Sequence, residues 1–171
     1  MIPLPAEFLT IPFAHRGLHD RAAGVIENSR SAVKAAVAAG YGVEIDLQMS
    51  ADGAAMVFHD DELDRLTPET GPVRAHSATA LGQIDLTGGD EGIPTLSEIL
   101  DIVGGRVPML VEIKDQSGCL GPVDGRLERR TAQLLSAYDG PVALMSFNPF
   151  SVAACAEAAP GLPRGAAPED S

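Results

Sequence analysis

Seven charged or titratable side chains fall at or near the ends of apolar runs in the first two thirds of the sequence. "IPFAHRG" ends in His15 and Arg16. "VEIDL" places Glu44 and Asp46 two residues apart, "MVFHD" ends in His59, and "VEIK" places Glu112 and Lys114 two apart. In a strand, residues two apart share a face. A carboxylate in a sheet buried on both faces is costly without a partner, and three from neighbouring strands would repel one another. Mg²⁺ or Ca²⁺ removes that objection, because both take oxygen ligands. Arg16 suits a phosphate as a bidentate fork and Lys114 as a point charge. Two imidazoles on opposite sides of a phosphorus can act as general base and general acid. With a metal holding a non-bridging oxygen, the set reads as metal-assisted phosphodiester cleavage.

Each residue also has a structural reading. Glu44 and Asp46 could serve in salt bridges, His15 or His59 could be satisfied core histidines, and Lys114 could simply neutralise Glu112. Glu27 either lines the site or favours a helix start through the dipole. Asn28 reads as a helix cap, and Asp60 as a residue that orients or caps. His19 and His76 read as surface residues, and the acidic run from Asp60 to Asp64 as mostly a solvated loop.

The elements that must position these groups alternate in type. Apolar runs near 8–14, 41–49, 107–114 and 141–147 read as buried strands, and the turn "ADG" joins 41–49 to a strand extension or hairpin arm at 54–59. "ENSRSAVKAAVAAG" reads as a helix capped by Asn28 or Ser29, with Ala32, Val33, Ala36 and Val37 as its apolar face and Gly40 as its stop. "TLSEILDIVGG" carries a capping box, Thr95 with Glu98. "GRLERRTAQLLSAYDG" and "NPFSVAACAEAA" read as further helices. Residues 60–94 are irregular, acidic and Gly-rich, a long loop or small insertion. Strands that alternate with helices and are almost continuously apolar predict βαβ units around a buried parallel sheet.

On these residues a resemblance becomes specific. "HRG" at 15–17, "ENS" at 27–29, "EIDLQMSADG" at 44–53, "HDDELDRLT" at 59–67, "IPTLSEIL" at 93–100 and "VEIK" at 111–114 follow one another in the order and spacing of the glycerophosphodiester phosphodiesterase family. "SFNP" at 146–149 is also similar to that family's fourth-strand ending. The resemblance implies a TIM barrel whose site lies at the C-terminal ends of the strands. It implies hydrolysis of a glycerophosphodiester to an alcohol and glycerol 3-phosphate. It also implies His15 and His59 as the acid/base pair, Glu44, Asp46 and Glu112 as ligands of one divalent cation, and Arg16 and Lys114 as the phosphate grip. Glu27, Asn28 and Asp60 would stand behind them. The order of acid and base, the metal, and the first attacking hydroxyl stay open.

The bulk properties narrow the alternatives. The chain has 171 residues, 45% apolar and 4% aromatic, with a net charge of −12. That charge disfavours nucleic acid and anionic membrane surfaces as partners. No basic, cleavable leader and no apolar run long enough to span a bilayer is evident, and Cys119 and Cys155 read as free buried thiols. A soluble cytoplasmic protein acting on a small-molecule substrate is expected. A full barrel needs eight βα units and about 250 residues, whereas four units are counted here. The expected layout is therefore the N-terminal half of a barrel over 1–162, with an insertion at 60–94 and a frayed tail at 163–171. Such a half leaves bare sheet edges and an apolar face. It would pair with a second copy or a partner chain that completes the barrel. Failing turnover, it would be a truncated product that binds metal or phosphate, or a structural fragment. The insertion has no aromatic residue to cage a choline ammonium, which disfavours choline.

Overall fold

Polar and apolar residues alternate along the longest strand, and that alternation separates the two faces of the sheet. The computed structural model describes residues 2–167. In chain order the elements are α1 (Glu7–Thr10), β1 (Phe13–Ala14), α2 (Arg30–Ala39), β2 (Gly42–Met49), β3 (Ala55–Val57), α3 (Ala78–Gly82), α4 (Leu96–Val103), β4 (Met109–Ile113), α5 (Arg126–Ser136), β5 (Val142–Ser146), α6 (Pro149–Ala158) and β6 (Arg164–Ala166). The sheet runs β1-β2-β4-β5-β6, all parallel, with β3 antiparallel to β2. Val43, Ile45 and Leu47 of β2 join Met109, Val111 and Ile113 of β4 in the main core, packed with Val33 and Ala36 of α2, Ile99 and Val103 of α4 and Leu127 of α5. Glu44, Asp46, Gln48 and Glu112 occupy the alternate positions, and all are buried.

The helices begin and end where local chemistry dictates. Ser29 caps α2 by accepting the Ala32 N–H, and Gly40 ends it in the left-handed region. Asn28, expected as a cap, instead turns its side chain to β2. Thr95 and Glu98 form the full capping box at α4. Among the described residues no helix is long and apolar enough to cross a membrane.

Three expectations change. The strand expected over 8–14 is only Phe13–Ala14, and α1 precedes it. Pro12 cannot donate to a ladder, and Leu9 is 80% exposed, so the apolar run is not a buried strand. The sheet has five parallel strands rather than four, because Arg164–Ala166 pairs with β5 inside the stretch expected to fray. That strand is short and built on Gly and Ala, so its sequence carries no strand signal. The rest of the expected tail, 168–171, lies outside the described residues. Residues 60–94, expected as a long loop or small insertion, are a folded insertion following β3, with a 3₁₀ turn at Val73–Ala75 and α3; their Leu63, Leu66, Leu81 and Ile93 form a second core with Ile26, Met56 and Phe58. These apolar residues are too widely spaced to show a period. Asp61, Glu62 and Asp64 do face solvent, while Leu63 between them and Leu66 just after are buried.

The insertion is fastened to the sheet's first helix. The Glu91 carboxylate accepts the N–H of Arg30 at 2.6 Å and of Ser31 at 3.3 Å. It thereby satisfies orphan donors at the start of α2 and complements the dipole. Arg30 returns the contact through Gly92 O at 2.9 Å and Glu98 at 2.8 Å.

Cys155 is buried as expected, but Cys119 is exposed in the β4–α5 loop. Burial pushes the Cys155 thiol up to about 12, so it carries almost no thiolate at neutral pH. A thiol reagent such as dithionitrobenzoate is expected to label one cysteine per native chain, lost in Cys119→Ser and unaffected by Cys155→Ala. Labelling of Cys155 in the native state would show that α6 does not seal it.

On the site-bearing face, towards β5 and β6, a groove of about 660 Å³ is lined by Ile2, Leu4, Leu9, Leu110, Ala143 and Met145.

Candidate active site

The corner after β1 sets the first part of the site. Arg16 and Gly17 both adopt left-handed backbone angles, φ 57° and 79°. The turn aims the Arg16 N–H at Glu44 Oε2, 3.0 Å away. A Cβ on Gly17 would sit 2.8 Å from Ala32 Cβ and 2.9 Å from its carbonyl carbon. Left-handed strain of about 1–2 kcal/mol and overpacking of a similar size add together. Gly17→Ala is therefore expected to lower Tm by roughly 5–15 °C. A thermal melt within about 2 °C of the parent would show that the corner is not tight.

Parallel register sets the second part. Asp46 and Glu112 are direct partners across β2 and β4, and Glu44 lies two residues before Asp46. One carboxylate oxygen from each of the three lies within 4.8 Å of the others. Asp46 is 1% exposed. Its Oδ2 accepts Asn28 Nδ2 at 2.9 Å and lies 3.6 Å from Arg16 Nε. Lys114 Nζ bridges Glu112 Oε1 at 2.6 Å and Asp46 Oδ1 at 3.0 Å. Asn28 takes a left-handed φ of 56°, and its Oδ1 also accepts the Asp46 N–H at 3.3 Å. Its role is thus to hold Asp46.

Three buried carboxylates face two cations, and the electrostatics record the excess. Burial first, then the charge of Asp46, pushes Glu44 up to about 7. Burial likewise raises Glu112, against the pull of Lys114. Glu44 Oε1 is buried with no hydrogen-bond partner among the described residues. An all-oxygen donor set with an orphaned buried oxygen and surplus negative charge fits a hard divalent cation.

The imidazoles stand at the rim. His15 Nε2 lies 3.9 Å from Glu44 Oε2, with the side chain 71% exposed. Partial desolvation and then the neighbouring Arg16 charge lower its pKa, which favours the neutral ring at neutral pH. His59 Nδ1 meets Asp60 Oδ1 at 2.6 Å. A cavity of about 530 Å³ opens beside His59, Asp60, Glu112 and Lys114 and is also lined by Cys119 and Phe147. His19 is exposed and His76 half-buried, and neither belongs to this cluster.

Glu27 is brought beside Arg16. Its carboxylate accepts Arg16 Nη1 at 3.0 Å and is also held by Arg65. Burial works against its charge, but Arg65 and Arg16 outweigh it and lower the pKa. The sequence reading missed Arg65, although it lies inside "HDDELDRLT". It also missed Gln48, which donates to His59 O at 3.0 Å and Asp61 Oδ1 at 3.1 Å. Phe147, inside "SFNP", also lines the cavity.

The hydrogen bonds from Arg65 bring Asp60 to about 2. Asp115 also reaches about 2, because bonds from Ser117, Leu120 and Asn148 outweigh its burial. Both lie below the unfolded value of about 3.9. The stability they supply is complete above about pH 4 and disappears as pH falls towards about 2. Arg65→Met is expected to shift the acid-unfolding midpoint upward, as followed by circular dichroism. An unchanged midpoint would show that Asp60 draws no stability from the pair.

The glycerophosphoryl diester phosphodiesterase family model matches residues 15–168. A glycerophosphodiester phosphodiesterase of Caldanaerobacter subterraneus subsp. tengcongensis is 31% identical over 165 residues, covering 91% of this chain and 65% of that protein. One from Bacillus subtilis is 28% identical, covering 71% and 47%. Among solved structures, an Oleispira antarctica phosphodiesterase in complex with the product sn-glycerol-3-phosphate superposes with a TM-score of 0.80 at 26% identity, over 94% of this chain and 67% of that one. A glycerophosphodiester phosphodiesterase from Agrobacterium tumefaciens gives 0.75 at 25%, over 90% and 65%. The chain thus spans about two thirds or less of the length of these relatives.

Proposed function

Because the chain belongs to the glycerophosphoryl diester phosphodiesterase family, we propose that it hydrolyses a glycerophosphodiester to an alcohol and glycerol 3-phosphate. The observation that carries this reading is the buried Glu44, Asp46 and Glu112 cluster, flanked by Arg16 and Lys114 and rimmed by two histidines. The product seen in the Oleispira antarctica relative agrees with the outcome.

Glu44, Asp46 and Glu112 would hold one divalent cation, Mg²⁺ or Ca²⁺, whose charge would stabilise the phosphate's developing charge. Arg16 and Lys114 bind and orient the phosphate oxygens. In the net reaction the P–O bond to the head-group alcohol breaks and water supplies the new hydroxyl on phosphorus. One histidine takes a proton from the attacking hydroxyl, and the other gives one to the leaving oxygen. Asp60 occupies His59 Nδ1 and so keeps Nε2 as the nitrogen that exchanges the substrate proton. The free thiols of Cys119 and Cys155 favour a reducing, cytoplasmic setting.

Release of glycerol 3-phosphate from glycerophosphoethanolamine, measured with Mg²⁺, Ca²⁺ and EDTA, tests the reading. Metal-dependent release that disappears in His15→Ala is expected. A second reading, binding of cation and phosphate without turnover, is favoured by the open sheet and its bare apolar groove. A folded sample that gains thermal stability with the cation but releases nothing would select it. A clean monomer by light scattering would remove the further idea that two copies complete one barrel.

A further inference from the structure

The Arg65 guanidinium grips two carboxylates at once. Nε and Nη2 donate to Asp60 Oδ2 at 2.7 Å and Oδ1 at 2.8 Å. Nη1 and Nη2 donate to Glu27 Oε2 at 3.0 Å and Oε1 at 2.7 Å. Each carboxylate in turn holds one group of the site. Asp60 Oδ1 holds His59 Nδ1 at 2.6 Å, and Glu27 Oε1 holds Arg16 Nη1 at 3.0 Å. The result is an unbroken chain, Arg16–Glu27–Arg65–Asp60–His59, linking the corner after β1 to the corner after β3. Only a planar fork can serve two carboxylates in this way.

We propose that Arg65 is a positioning residue that sets both the phosphate grip and the histidine, acting through Glu27 on Arg16 and through Asp60 on His59. This rests on the phosphodiesterase reading only for its kinetic consequences. The insertion that carries Arg65 is fastened to the sheet independently, through Glu91 and Arg30. Loss of the side chain therefore leaves the insertion attached while freeing both carboxylates. Without its clamp, Asp60 is held only by the imidazole and its carboxylate is free to rotate away; once that bond opens, the ring is no longer confined to the tautomer with the proton on Nδ1.

The test compares Arg65→Met, Arg65→Lys, Asp60→Asn and the double variant Arg65→Met/Asp60→Asn. Turnover is expected to fall about 10- to 100-fold in Arg65→Met, the usual effect of removing a partner that orients a functional group. KM is expected to rise less than kcat falls, and Lys is expected to restore only part, since an ammonium cannot grip both carboxylates. The double variant should be no slower than about Asp60→Asn with the Glu27 arm also lost, short of the product of the single effects. A second readout needs no turnover. Nitrogen chemical shifts of the His59 ring, assigned by its loss in His59→Gln, should show one neutral tautomer in the parent and a mixture in Arg65→Met. A lowered Tm with ring shifts and any turnover within about twofold of the parent would overturn the proposal and leave Arg65 a merely structural clamp. If the parent releases no glycerol 3-phosphate, the phosphodiesterase reading fails by itself and the ring shifts still decide the role of Arg65.

Discussion

Asp46→Asn is expected to abolish the thermal stabilisation that a divalent cation gives the parent chain. At a free cation concentration 100-fold above Kd, binding stabilises the folded state by about 2.7 kcal/mol. In a chain of this size that raises Tm by roughly 5–10 °C. The three carboxylates converge only because Asp46 stands opposite Glu112 in the β2–β4 register, with Glu44 two residues earlier. Removing the central charge takes away one of the three converging carboxylates and leaves Lys114 and Arg16 with less to pair. Lys114 keeps Glu112 and Arg16 keeps Glu27, while Glu44 loses a repelling neighbour, so in EDTA the variant should melt close to the parent. Melts of both proteins in Mg²⁺, Ca²⁺ and EDTA check this. A variant that keeps the parent's cation-induced shift would place the ion elsewhere.

His59→Gln is expected to lower kcat by about 10²- to 10⁴-fold, the range for a lost general acid or base, with Tm nearly unchanged. The side chain is 29% exposed at the cavity rim, and Gln fills most of the space it leaves. Its hydrogen bond to Asp60 is replaceable, because Arg65 already holds both Asp60 oxygens. Gln preserves a polar group of similar reach and cannot exchange a proton near neutral pH. Steady-state release of glycerol 3-phosphate, with circular dichroism melts as the control, separates chemistry from folding. More than a tenth of parental turnover in the variant would take His59 out of the proton transfer.

Local signals in the sequence were read correctly where neighbours along the chain decide the outcome. Ser29, Gly40, Thr95 and Glu98 satisfy helix ends with groups three or four residues away, and the structure shows those caps. The pairs Glu44/Asp46 and Glu112/Lys114 share faces because the strand period is two. The type and order of most elements followed from the same local rules, and the family from motifs in sequence order.

What the local rules could not reach depends on partners distant in the chain. Asn28 looked like a cap because Asn caps helices well, yet a buried Asp46 eighteen residues on claims its amide. The insertion could not be told from a long loop because its apolar residues have no period, and they form a core only when the chain folds back on itself. β6 has almost no strand propensity and exists because β5 offers an edge. Arg65 was invisible as a site residue because its two carboxylates, Glu27 and Asp60, lie thirty-eight and five residues away. The sequence by itself determined which chemistry-bearing side chains the chain carries and which face of each strand they take. Only the tertiary structure decided that Asp46 faces Glu112, that Glu27 and Asp60 share one guanidinium, and that the groups form one site. Register and long-range pairing follow from packing the whole sheet, which no local window contains.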